Sequence, residues 1–178
     1  MAEQQAFERY SGFARLMHWL VAVMIFGSIA AGLIMVNLKP GDLQNQLYST
    51  HKAFGIVILA FVAVRVLYRL INGAPRPEPS LSPLKRFVSQ ATHYALYALL
   101  IAMPILGWAG TSAFGAPVPI FGLFDMPPLI AKDQELAKQI FQWHKLGAYT
   151  MAALVIIHAG AALHHHFVLK DNVLRRML

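Results

Sequence analysis

Eight histidines and no cysteine limit the chemistry open to this chain of 178 residues. Without a thiol there is no covalent haem attachment, no thiolate zinc site and no iron–sulfur cluster held by sulfur, so any metal or cofactor has to be held by imidazole. His144 and His158 lie 14 residues apart. On a helix this is about 21 Å along the axis with a return to nearly the same face, a spacing that stacks two planar cofactors. His18, His51 and His93 stand in other apolar stretches, and His164, His165 and His166 form a run near the end of the chain.

The elements that must carry these residues are membrane spans. Apolar side chains make up 57% of the chain and charged ones 13%, against roughly 25% charged in soluble domains; the mean hydropathy is +0.52. Intrinsic disorder and a disulfide scaffold are excluded. The net charge of +7 does not point to nucleic acid, because the cations sit between apolar runs. Four of these runs approach the roughly 20 apolar residues that cross a bilayer as a helix, and they predict helices over about 15–36, 49–70, 90–110 and 141–169. The leader Met1 to Ala14 is too polar, and the first run too long, for a cleaved signal peptide, so that run is expected to stay as a span. The expected architecture is an all-α, integral-membrane, four-helix up-and-down bundle forming one domain over residues 1–178. Basic residues collect at the end that holds both termini (Arg9, Arg15, Arg69, Arg76, Lys85, Arg86, Lys170, Arg175, Arg176) more than at the other (Lys39, Lys52, Lys132, Lys138, Lys145). This predicts cytoplasmic termini. The turn Asn72 to Pro83 is proline-punctuated. The segment Thr111 to Gln139, apolar for half its length, reads as a lid at the outer interface.

Threaded through such a bundle, the histidines fall at two depths. His51 and His144 form an outer layer, and His18, His93 and His158 an inner one. A lone histidine near a helix end commonly serves as an interfacial anchor, but matched depths on facing helices are how bundles build cofactor sites. Two imidazoles on one haem iron give a six-coordinate centre suited to electron transfer. Zinc needs three or four clustered ligands, and each layer offers too few close ones. Gly55, Gly147 and Gly160, close in sequence to His51, His144 and His158, offer room for a flat macrocycle, although small residues also serve bare helix packing. His165, seven residues after His158, and His93 are candidates for a quinone site needing a hydrogen-bond donor and a proton route. Arg65, 14 residues after His51, falls at the inner level, where a guanidinium suits a haem propionate or snorkels to lipid phosphate. Lys52 and Lys145, each directly after an outer histidine, make a cationic rim able to steer small anions.

The chain resembles the short bacterial cytochrome b561 family, and within it the superoxide oxidase branch. The likeness rests on RLMHWL around His18, STHKAFG at His51, RVLYRL, ATHYALYALLIAMPILGW, FGLFDMP and WHKLGAY…HAGAALHHHFVLKDNVLRRM, and it covers nearly the whole chain in order. The resemblance implies a multi-pass bacterial inner-membrane protein with two haem b groups. It implies that His18 pairs with His158 on the inner haem and His51 with His144 on the outer one, and that His93 and His165 lie near the quinone. It further implies an oxidoreductase that takes electrons from periplasmic superoxide and reduces ubiquinone. Members of similar build instead oxidise quinol and pass electrons to or from a partner dehydrogenase or hydrogenase, a redox partner that the sequence does not identify. A haem-free transporter is the rival from another class.

Overall fold

The computed structural model describes residues 8–76 and 81–178. The start of the leader and the middle of the proline-punctuated turn therefore lie outside the described residues. Four long helices follow one another: α1 (Gly12–Met35), α2 (Asp42–Asn72), α3 (Pro83–Phe114) and α4 (Gln134–His164). All four are long and apolar enough to cross a membrane. Each of α1 to α3 packs on the helix that follows it. The chain ends meet at one end of the bundle, where Tyr10 N donates to the Arg176 carbonyl (3.1 Å) and Trp19 Nε1 to the Met177 carbonyl (2.9 Å). The Arg15 side chain donates to the Leu178 carbonyl. This will be called the terminal end. The other carries the α3–α4 connection and will be called the hairpin end.

The helices run beyond the expected spans. α2 begins at Asp42 instead of near residue 49, α3 runs from Pro83 to Phe114 instead of about 90–110, and α4 begins at Gln134 instead of near 141. The expectation tracked where apolarity stops, whereas a helix stops where its backbone is capped. Ser82 accepts from Lys85 N ahead of Pro83, and Asp133 accepts from the backbone N–H of Glu135 and Leu136, which places strong N-terminal signals well outside the hydrocarbon. At the far end of α3, Gly115 takes the left-handed conformation (φ 85°) and its N–H returns to the Thr111 and Ser112 carbonyls, a C-terminal stop that favours glycine. At 31 residues, α2 is about 46 Å long, against a hydrocarbon core of about 30 Å.

Two features depart from a purely helical chain. The α3–α4 connection folds into a two-stranded antiparallel hairpin, β1 (Pro119–Ile120) and β2 (Phe124–Asp125), with Pro119 opposite Asp125. It is fastened rather than loose. Trp108 Nε1 donates to the Pro127 carbonyl (2.9 Å), Leu129 N to Ser112 Oγ (3.1 Å) and Lys52 Nζ to the Pro117 carbonyl (2.6 Å). Beyond α4, the residues His165–Leu169 form a π-helical turn, closed by Lys170 with φ 55°. His165 stands at the junction, its N–H still returning to the Ala161 and Ala162 carbonyls, and the register changes after it.

The close-packed core is small. Val21, Ile58 and Val62 are buried together, with Met24, Ile25, Phe61, Val66 and Leu100 packed against them. Val21 follows His18 by three residues and Ile58 follows His51 by seven, so this aliphatic cluster sits between the two histidine levels.

Candidate haem centres

At the hairpin end, α2 supplies His51 and α4 supplies His144. Their ring centroids are 6.2 Å apart with planes 78° to each other. Each ring is backed by a glycine from the preceding helix. A Cβ on Gly32 of α1 would lie 3.5 Å from His51 Cε1, and one on Gly107 of α3 would lie 3.2 Å from His144 Cε1. The Nδ1 atoms of both rings are buried and lack a hydrogen-bond partner. The Ser28 carbonyl approaches His51 and the Met103 carbonyl approaches His144, short of hydrogen-bond geometry. In metal sites the second ring nitrogen of a ligating histidine ordinarily donates to such a carbonyl, which fixes the tautomer and turns the other nitrogen outward.

At the terminal end, α1 supplies His18 and α4 supplies His158, again with centroids 6.2 Å apart and planes at 85°. His93 of α3 stands against the same His158 at 5.3 Å, so three imidazoles share this level. Arg65 Nη1 lies 3.0 Å from His18 Nδ1. The guanidinium has only protons to offer, so His18 Nδ1 is the acceptor and its proton sits on Nε2. Metal coordination at that Nε2 requires loss of the proton or movement of Arg65.

These distances test the fit to a metal. Imidazole nitrogen–metal bonds of about 2 Å, with a ring centre roughly 1 Å behind each nitrogen, put two opposed rings about 6 Å apart. The pairs His51/His144 and His18/His158 have that separation, and His93/His158 is tighter. Gly55 and Gly160 face open space, with nothing within 4 Å of a Cβ built on either, while Gly147 packs on the Met103 side chain. The first two leave the room that a flat macrocycle needs. Among the described residues no group of three histidine or carboxylate side chains converges as a metal-ion site. The residues present fit a haem held between two imidazoles at each level.

The other candidate residues fall as follows. Lys52 is half-buried and spends its ammonium on the hairpin carbonyl described above, whereas Lys145 is exposed beside His144. His165 Nδ1 is 2.5 Å from Asp171 Oδ2, and Asp171 Oδ1 accepts from Val173 N. His165 is thus tied to the tail, and the structure does not bring it together with His93. Gly32, Gly107 and Asp171 were not legible as site residues. The two glycines act on histidines of other helices, 19 and 37 residues away, and nothing local marks them. The aspartate six residues after His165 was the only one of the three with a nearby cue.

Comparison with known proteins gives the family. The family model for prokaryotic cytochrome b561 matches residues 9–178. The chain is 38% identical to "Cytochrome b561 homolog 2" of Escherichia coli (strain K12), over 96% of this chain and 92% of that protein. It is 32% identical to "Probable superoxide oxidase CybB" of Yersinia pestis, over 96% of each chain, and 28% identical to "Cytochrome b562" of Cereibacter sphaeroides, over 94% and 95%. With paired imidazoles inside four membrane-crossing helices, and family and relatives matched along almost the entire length, the chain belongs to the prokaryotic cytochrome b561 family, multi-pass membrane oxidoreductases that bind haem b and transfer electrons.

Proposed function

We propose that this chain is a dihaem cytochrome of the bacterial inner membrane that oxidises periplasmic superoxide and reduces ubiquinone on the cytoplasmic side. The observation that carries the reading is the repetition of one imidazole separation, 6.2 Å, at two heights of a single bundle. His51 and His144 hold the outer haem, and His18 and His158 the inner one. When bound, the two haems supply reversible one-electron chemistry; the chain's residues bind and orient them and govern access. The terminal end faces the cytoplasm, supported by the arginines and lysines gathered there. Lys145 beside His144 attracts a small anion to the outer face, and Lys52 holds the hairpin against α2. The similarity to a relative named probable superoxide oxidase supports superoxide as donor. His93, at the inner level beside His158, stands on the acceptor side.

The test is stopped-flow mixing of the oxidised protein with superoxide. Fast reduction of the haem absorption is expected, and it should be lost in H51A. Equal rates in the two proteins would overturn the donor and favour a quinol-oxidising subunit that works with a partner dehydrogenase.

A further inference from the structure

Between Ala116 and Ala131 the α3–α4 connection carries a single charged residue, Asp125. Three contacts fix where this stretch lies. The Pro117 carbonyl takes the Lys52 ammonium, the Phe121 ring stands edge-to-face with that of Phe54 (centroids 5.5 Å apart), and the Pro127 carbonyl accepts from Trp108 Nε1. Phe54 is one turn past His51 on α2, and Trp108 directly follows Gly107, the glycine behind His144. The hairpin thus folds back along the flank of the bundle, down to the His51/His144 level. We propose that its tip, Phe121, Leu123 and Phe124, is a membrane anchor, seated in the lipid of that leaflet where headgroups meet acyl chains.

The charge pattern of the connection selects lipid as the occupant. Charge returns only at Lys132 and Asp133, where the Lys132 stem lies against Gly115 and Asp133 caps α4. Both stand at the helix ends, which marks the boundary with water there, and the apolar tip hangs below it. Phe121, Leu123 and Phe124 are 55%, 80% and 58% exposed, large apolar side chains gathered on one turn, as in segments that seat at membrane interfaces. Trp143, exposed beside His144 on α4, stands at the same level, and tryptophan is enriched where bilayer meets water. A patch for a soluble protein carries a polar rim, whereas this tip is flanked by Pro117, Pro119, Pro127 and Pro128. The lone carboxylate, Asp125, lies within electrostatic reach of Lys52, so the loop takes no uncompensated charge into lipid.

The backbone suits the same surroundings. Polar groups kept from water must find partners within the protein, and the four prolines have no N–H to satisfy. Ala116 N donates to the Thr111 carbonyl (3.1 Å), Leu123 N to the Ile120 carbonyl (3.0 Å) and Met126 N to the Val118 carbonyl (3.0 Å), while Ile120 and Phe124 pair across the ladder. The turn supplies a further sign. Phe121 (φ 51°) and Gly122 (φ 77°) are both left-handed, a tight hairpin form whose first position ordinarily takes asparagine, aspartate or glycine. A phenylalanine there strains the backbone, and packing of its ring on Phe54 and in lipid offsets the strain.

The chain has no cysteine, so a nitroxide on an introduced one reports a single position. Haem-loaded L123C, labelled and placed in phosphatidylglycerol–phosphatidylcholine nanodiscs, is examined by power-saturation EPR for collisions with lipid-soluble O₂ and with a water-soluble nickel chelate. V23C, 69% exposed on α1, is the lipid reference, and K138C, with a side chain 67% exposed near the start of α4, the water reference. The O₂-to-nickel collision ratio of L123C should approach that of V23C and exceed that of K138C several-fold. Nickel collisions as frequent as at K138C would overturn the proposal and leave the tip to a soluble partner. Rare collisions with both reagents would also overturn it, placing the tip against another protein surface or a second copy. Haem content equal to that of the unlabelled protein reports an intact fold, and F124C gives the same comparison should L123C not fold. No electron donor or acceptor enters the measurement, so its outcome is separate from that of the function proposed above.

Discussion

The two ends of the bundle hold facing imidazoles at the same separation and surround them differently. At the hairpin end each ring leans on a glycine of the preceding helix, and its second nitrogen is buried with no hydrogen bond made. A hairpin stitched to α2 and α3 covers that end. At the terminal end, Arg65 takes the second nitrogen of His18, a third imidazole crowds His158, and a cavity opens alongside. Helix packing thus sets the spacing, while the group touching the rear of each ring sets its chemistry. One end is built to be rigid and shielded, the other to be polar and reached from outside the bundle.

The largest expected effect breaks the comparison outright. On the proposed pairing, H51A or H144A should remove one haem of two and H18A or H158A the other, read as haem per polypeptide and as loss of distinct components in the reduced-minus-oxidised spectrum. Loss of both haems from every variant would mean that the ends are not independent. Next in size is stability: I58A, in the cluster between the levels, should cost about 2–4 kcal/mol in detergent unfolding and leave both spectral components in place. G107V probes the glycine seat at the hairpin end. A branched side chain 3.2 Å from the His144 ring forces the ring to shift at roughly 1–3 kcal/mol, so outer haem should dissociate about tenfold faster, whereas G32A, with more room at 3.5 Å, should change this little. R65Q sharpens the contrast from the other side. Removing a cation next to the inner pair should lower that haem's potential by about 60 mV, the one-electron equivalent of about 1.4 kcal/mol, without moving the outer one. The smallest change is expected for K145Q, a roughly twofold slower superoxide encounter that fades as salt is raised.

Much of this was legible in the linear chain, for identifiable reasons. Hydropathy marks the four crossings because lipid forces apolar runs and internal backbone bonding at once, and the histidines are conspicuous because polar groups in such runs are rare. The starts of α3 and α4 were misjudged because Ser82 and Asp133 cap backbone beyond the apolar limit. The hairpin went unseen because two-residue strands leave no alternating pattern to read. Arg65 was placed at the right depth, but its hydrogen bond to His18 depends on the rotation of two helices about their axes, which depth alone does not fix. His165 illustrates the same limit: counting along the helix gives its height, but the partner of its ring, Asp171, is brought to it by the π-turn that follows, which the count does not show.

The aliphatic cluster of Val21, Ile58 and Val62 bears on how the membrane stays sealed. Close-packed side chains without polar atoms give no foothold to a chain of waters. On the proposed function, electrons tunnel across such a barrier while hydrons cannot follow, so those consumed in making quinol would be drawn from the cytoplasm alone. Each turnover would then carry negative charge inward uncompensated, and the rate of the protein should answer to the voltage across the bilayer.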